Sequence, residues 1–283
     1  MSNNKFRSLI SSELLIAPGV FDGLSAKLAT REGFKALYAS GGAIARSTGR
    51  PDTGLLSLTE VSQRMHEIAH ATHLPVIADA DTGFGNELNT VRTVEEFERA
   101  GVAAIHIEDQ TFPKRCGHLD GKDLISKEDM CLKIRVATKA RSHTGFLIIA
   151  RTDAIAVEGF EKAIERARSY LDAGADMIFV EAPETVEQIE KIAHLIPQPK
   201  MINMFYGGKT PLVSTKELDE MGYNIVIIPS DLQRAAMKAM QLTLRTIYSE
   251  GDSANISNAL LTFKEREEII ETEKFFQYVT FQE

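Results

Sequence analysis

Cysteine is scarce in this chain, with only Cys116 and Cys131 among 283 residues. Two thiols build no disulfide framework, and that usage suits a reducing compartment. Long apolar runs are missing too; none approaches the roughly 18 residues that a membrane span needs. The opening Met1-Ser-Asn-Asn-Lys-Phe-Arg has no apolar stretch of the kind a secretion signal carries. Cations fall short of anions, with 32 Lys and Arg against 40 Asp and Glu and a formal charge of −8. That balance argues against nucleic acid or an anionic membrane as a partner, while a local basic patch stays compatible with a small anionic substrate. No G-x-G-x-x-G opens the first helical stretch, which counts against a dinucleotide-binding fold. Together these absences predict a cytoplasmic protein that acts on a small molecule.

What the chain does have is rhythm. Short apolar runs recur at 14–20, 36–40, 75–81, 103–109, 147–153, 177–182, 200–204 and 225–229. Amphipathic stretches lie between most of them, at 60–71, 91–100, 127–141, 160–173 and 185–196. Continuous apolar strands alternating with helices mark a parallel sheet covered on both faces. Eight such units predict an α/β fold, a (β/α)8 TIM-type barrel, over residues 1–250. Gly33, Gly101, Gly174 and Gly222 each close a helical stretch, and seven residues later come the strand ends Ser40, Glu108, Glu181 and Pro229. After a helical 231–250 and a polar break, residues 251–283 form an apolar-rich extension. A single barrel offers that surplus no obvious place, so the extension is expected to be helical and to pack on a partner subunit.

In such a barrel the chemistry sits at the C-terminal ends of the strands. Here those ends read Ser40-Gly41-Gly42, Asp79 with Asp81, Glu108 with Asp109, Arg151 with Asp153, Glu181 and Asn203. So many acids would be costly in an apolar core without partners. Two aspartates two apart on a strand face the same side and repel unless a cation or a shared proton intervenes. An all-oxygen set suits Mg²⁺, with Mn²⁺ as a possible substitute. Arg151 offers a guanidinium fork for a substrate carboxylate, and Asn203 a donor to an oxygen that gains charge. Cys116, in Lys114-Arg-Cys-Gly-His118, has cations on both sides that bias it toward thiolate. Its loop is too polar for a core strand and reads as a lid, open without ligand and closed with it. His118 is equally compatible with a catalytic neighbour and a loop anchor. Cys131 reads as packing.

These segments resemble the isocitrate lyase/phosphoenolpyruvate mutase superfamily, over nearly the full length. The matching stretches are Ser40-Gly41-Gly42, Arg50-Pro51-Asp52, Asp79-Ala-Asp81-Thr-Gly-Phe-Gly85, His106-Ile-Glu-Asp-Gln110, Lys114-Arg-Cys-Gly-His118, Ala150-Arg-Thr-Asp-Ala154 and Gly208-Lys-Thr-Pro211. The cysteine-bearing motif is the signature of members that cleave carbon–carbon bonds; the phosphonate-forming mutases lack it. The resemblance implies a Mg²⁺-dependent barrel, often a homotetramer whose subunits pair by exchanging a C-terminal helix. It implies that Asp79 touches the metal and that Asp52, Asp81 and Glu108 hold its waters. Ser40, Gly41, Gly42 and Arg151 would meet a pyruvate-like fragment, Glu181 and Asn203 would line the same pocket, and Lys114 to His118 would close it. The implied reaction is reverse aldol or Claisen cleavage of a 2-hydroxy di- or tricarboxylate, with Cys116 as proton donor. 2-Methylisocitrate is the first choice, because Ser40-Gly41-Gly42 and Arg266 resemble methylisocitrate lyases and a third carboxylate would want such an arginine. Asn203-Met-Phe-Tyr-Gly-Gly208 departs from the Thr-Glu-Phe-Gly usual there, and also from the Val-Glu-Gly-Gly of dicarboxylate lyases. The alternatives are a 2,3-dimethylmalate lyase, an oxaloacetate hydrolase, a phosphonate mutase or a non-catalytic barrel.

Overall fold

The computed structural model describes residues 4–117 and 121–279. Eight parallel strands close on themselves in sequence order: β1 Leu15–Val20, β2 Leu37–Ala39, β3 Val76–Asp79, β4 Ala104–Glu108, β5 Leu147–Thr152, β6 Met177–Val180, β7 Lys200–Asn203 and β8 Ile225–Ile228. Leu15 pairs with Ile225 and Pro18 with Ile228, which seals β1 against β8. The (β/α)8 barrel expected from the apolar rhythm is therefore present, with every strand within two residues of its predicted ends.

Period-two alternation explains the two cores. Ala104, Leu147, Ile149, Met177, Phe179, Met201, Ile225 and Ile227 form one apolar cluster inside the barrel, closed below by Phe6 and Ile10 of the helix Asn4–Ser12. The intervening residues, among them Ile105, Ile107, Ile148, Ala150, Ile178 and Val226, join the surrounding helices in a second cluster. Cys131 belongs to that outer layer, as packing. Gly101 ends its helix in the left-handed region (φ 92°), where a Cβ is unfavourable, and so turns the chain into β4.

One local expectation needs correcting. Asp79 and Asp81 do not share a strand face, because β3 stops at Asp79 and Asp81 sits in a turn with φ 46°. The main-chain N–H of Asp81 donates to Asp79 Oδ1 at 3.0 Å, so the first carboxylate shapes the turn that presents the second.

Beyond the helix Asp231–Glu250, two short helices follow, Phe263–Ile270 and Thr272–Phe276. They lie on the flank of the barrel against the helix Gly23–Arg31, through Arg31–Glu268 (3.6 Å) and Lys27–Glu271. Phe263, Phe275, Tyr278 and, on the long helix, Leu244 and Tyr248 remain exposed. No helix among the described residues is long and apolar enough to cross a membrane.

Candidate active site

On five strands, β3 to β7, the inward row reaches a charged or amide side chain at its C-terminal end. Ile77 is followed by Asp79, His106 by Glu108, Ile149 by Arg151, Phe179 by Glu181 and Met201 by Asn203. The alternation that fills the barrel thus aims these polar groups at one mouth.

Two buried cations organise them. The Arg151 guanidinium grips Asp153 in bidentate fashion (Nε–Oδ2 2.9 Å, Nη2–Oδ1 3.1 Å). It also lies 3.3 Å from Glu108 and 3.8 Å from Glu181, and packs over the Phe179 ring at 5.3 Å. Its fork, read from the sequence as open to a substrate carboxylate, is engaged by Asp153, and Nη1 faces Glu108. Lys114, only 4% exposed, ion-pairs with Asp52 and, at 2.9 Å, with Asp81. Buried charges survive only with such partners. Asn203 donates to Glu181 Oε1 at 3.3 Å.

Below this layer lies a contact that sequence reasoning missed. Tyr38 Oη donates to Asp79 Oδ2 at 3.3 Å and lies 2.8 Å from His106 Nε2. The Tyr38 and His106 rings are stacked, with His106 edge-on to Phe179. Both residues sit two positions before a predicted site residue, Tyr38 before Ser40 and His106 before Glu108; that spacing was the available signal.

Burial opposes ionisation of Asp79, yet the charges of His106, Lys114 and Arg151 prevail and hold it down at about 2. Burial, with Asp79 and Asp52 nearby, pushes Asp81 up to about 6 although Lys114 pulls the other way. Burial raises Glu108 well above the usual carboxylate range and lowers His106 to about 4, so the imidazole is neutral near pH 7.

Space is kept open by two glycines. A Cβ on Gly41 would fall 2.7 Å from Asp79 Oδ2, and one on Gly42 equally close to Asp52 Oδ2. Ser40 Oγ accepts from Ala43 N at 3.3 Å, capping the following turn. The loop bearing Cys116 lies down on the mouth: a Cβ on Gly117 would fall 2.5 Å from Arg151 Nη2. Cys116 is half-buried there. His118 lies outside the described residues. Arg266 is not brought to the mouth of its own chain; its guanidinium pairs with Glu267 at 2.7 Å and stacks on Phe263.

Neither carboxylate oxygen of the fully buried Glu108 accepts a hydrogen bond among the described residues, so both are acceptors suited to metal-bound water. Among those residues no three His, Cys, Asp or Glu side chains converge as a metal cage. The acceptor-only oxygens of Glu108 suit a hard cation that keeps several waters.

Residues 6–248 match the phosphoenolpyruvate phosphomutase family. The chain belongs to the phosphoenolpyruvate mutase/isocitrate lyase superfamily. Within that superfamily it is 48% identical over 265 residues to the 2-methylisocitrate lyase of Aeropyrum pernix, covering 93% of this chain and 85% of that one. It is 44% identical over 272 residues to the 2,3-dimethylmalate lyase of Eubacterium barkeri, covering 95% and 94%. A solved phosphonopyruvate hydrolase in complex with oxalate and Mg²⁺ superposes with a TM-score of 0.88 at 32% identity, over 98% of both chains. Relatives at these levels, lyases both, mark this superfamily member as a carbon–carbon lyase.

Tyr38→Phe removes a donor from Asp79 and leaves His106 Nε2 buried beside a ring edge. A buried polar group left unpaired costs about 1–3 kcal/mol, so the urea midpoint should fall accordingly. An unchanged midpoint would mean that the hydroxyl contributes nothing to the mouth.

Proposed function

We propose that this lyase cleaves 2-methylisocitrate to pyruvate and succinate with Mg²⁺. The observation that carries the reading is the mouth itself: Asp52, Asp79, Asp81, Glu108, Asp153 and Glu181 gather there, and among the described residues Lys114, Arg151 and Lys122 are the lysines and arginines that ion-pair with them. That excess of negative charge calls for a further cation before an anionic substrate can enter.

Asp79, Asp52, Asp81 and Glu108 would hold Mg²⁺, largely through water, and the bound ion would supply positive charge that acidifies the 2-hydroxyl of the substrate. Ser40, Gly41 and Gly42 leave room for the adjoining carboxylate, and the remaining N–H groups of Arg151 orient it. The hydroxyl proton passes toward the carboxylate cluster. The C2–C3 bond then breaks, C2 becomes the keto carbon of pyruvate, and the electron pair stays on C3 of the leaving fragment. The thiol of Cys116 delivers a proton to that carbon, giving succinate. Asn203 and Glu181 line the same pocket, and the loop at Lys114–Gly117 keeps water away while the carbanion exists.

A second reading, cleavage of 2,3-dimethylmalate, is favoured by the pairing of Arg266 with Glu267, which leaves a third carboxylate without an evident cation among the described residues of the single chain. Keto-acid release should be measured from 2-methylisocitrate, 2,3-dimethylmalate, oxaloacetate and phosphonopyruvate. The expected order puts 2-methylisocitrate first in kcat/KM; a higher value for 2,3-dimethylmalate would transfer the assignment to the second reading. EDTA should abolish turnover, and Mg²⁺ or Mn²⁺ should restore it; full activity in EDTA would rule out the metal.

Cys116→Ser should keep the fold and product binding but lose most turnover, because a hydroxyl titrates far above a thiol. A loss of less than about tenfold in kcat, roughly 1.4 kcal/mol, would remove Cys116 from the proton-donor role.

The exposed aromatics of the C-terminal helices and of the helix Asp231–Glu250 support a homotetramer in which residues 251–283 pack on a partner subunit. Light scattering should therefore give about four times the 31.3 kDa chain mass. A monomer at micromolar concentration would count against this assembly.

A further inference from the structure

Cys116 sits between two backbone positions that buried side chains hold from opposite sides. Ahead of it, Gln110, 1% exposed just past β4, spends its whole amide on Arg115. Its Nε2 donates to Arg115 O and its Oε1 accepts from Arg115 N, both at 2.9 Å. Behind it, the Lys122 ammonium donates to Gly117 O and lies 3.4 Å from Asp153 Oδ1. Asp153 is also the bidentate partner of Arg151. The segment between is stitched at its base by Thr111 N to Asp123 O (2.8 Å) and Ile125 N to Asp109 O (2.9 Å). The described backbone on either side of the thiol is thus referred directly to β4 and to Arg151.

Stability alone accounts poorly for Lys122. Its side chain is 1% exposed, and desolvating an ammonium costs several kcal/mol that its partners among the described residues, one carbonyl and one shared carboxylate, only partly offset. An apolar residue would fill the same space more cheaply. Positioning accounts for it better, since proton delivery to a carbanion demands accurate placement and a displacement of about 1 Å can cost ~100-fold.

We propose that Gln110 and Lys122 are positioning residues that grip the backbone on the two sides of Cys116 and fix where its thiol points; the proposal rests on the reading of Cys116 as proton donor. Neither residue needs to touch substrate. In the full-length protein, Gln110→Met and Lys122→Met should each lower kcat by roughly 10- to 100-fold with KM within about threefold. At one fixed pH, iodoacetamide should alkylate Cys116 at least about fivefold faster in each variant, with Cys131 as the internal reference, because a released segment opens more often. Lys122→Arg should recover part of the rate. A Cys116 alkylation rate within about twofold of wild type in both variants, whatever happens to Tm, would mean that the two residues only stabilise the fold and would overturn the proposal. Should Gln110→Met fail to fold, Lys122→Met decides alone. If the wild-type protein releases no keto acid from any 2-hydroxy acid tested, the assigned reaction fails, while the alkylation rates still decide whether the grip exists.

Discussion

Lys114 and Arg151 are the charges on which the mouth of this barrel depends. Each is almost fully buried, and between them they touch Asp52, Asp81, Glu108, Asp153 and Glu181. A carboxylate carried into a barrel mouth loses its hydration, and only an opposite charge at short range offsets that loss. Losing Arg151 would take a cation from Glu108, Asp153 and Glu181 at once, so these residues form one electrostatic unit and not a set of separable contacts. Neighbouring carboxylates nevertheless behave differently. Asp79, near the charges of His106, Lys114 and Arg151, is held at about 2 against its burial, whereas burial, with Asp79 and Asp52 close by, lifts Asp81 to about 6 despite its Lys114 partner.

The barrel supplies the other half of the arrangement. On β3 to β7 the inward row ends in a charged or amide side chain directly above the packed interior, so one step along the row separates dry core from reactive surface. Tyr38 and His106 occupy the boundary. They are apolar enough to stack against each other, yet carry the polar atoms that meet Asp79.

Much of this was legible in the chain. Eight apolar runs, the helix-ending glycines and the acids two positions beyond the inward apolar residues identify the barrel and its mouth, because strand alternation is local and periodic. Pairing is neither. Nothing in Leu147-Ile-Ile-Ala-Arg151 says that Asp153 will occupy the guanidinium, since that depends on where the chain turns after β5. Asp81 was assigned to a strand face because its left-handed turn has no mark beyond the nearby glycines. Lys122 and Gln110 are hard to read for a related reason: a lysine and a glutamine in a polar loop look solvated until the fold buries them. Arg266 shows the limit from the other side, with Glu265, Glu267 and Glu268 around it in sequence and Glu267 its partner in the structure.

The helix Asn4–Ser12 has a bearing on traffic through the barrel. With Phe6 and Ile10 stopping the lower end, the interior has no second door among the described residues. Substrate, keto acid and the second acid all cross the same threshold, beneath the segment that carries Cys116. On the proposed cleavage, a fragment seated deeper would leave after a shallower one, and the order of departure would then be set by the floor as much as by the mouth.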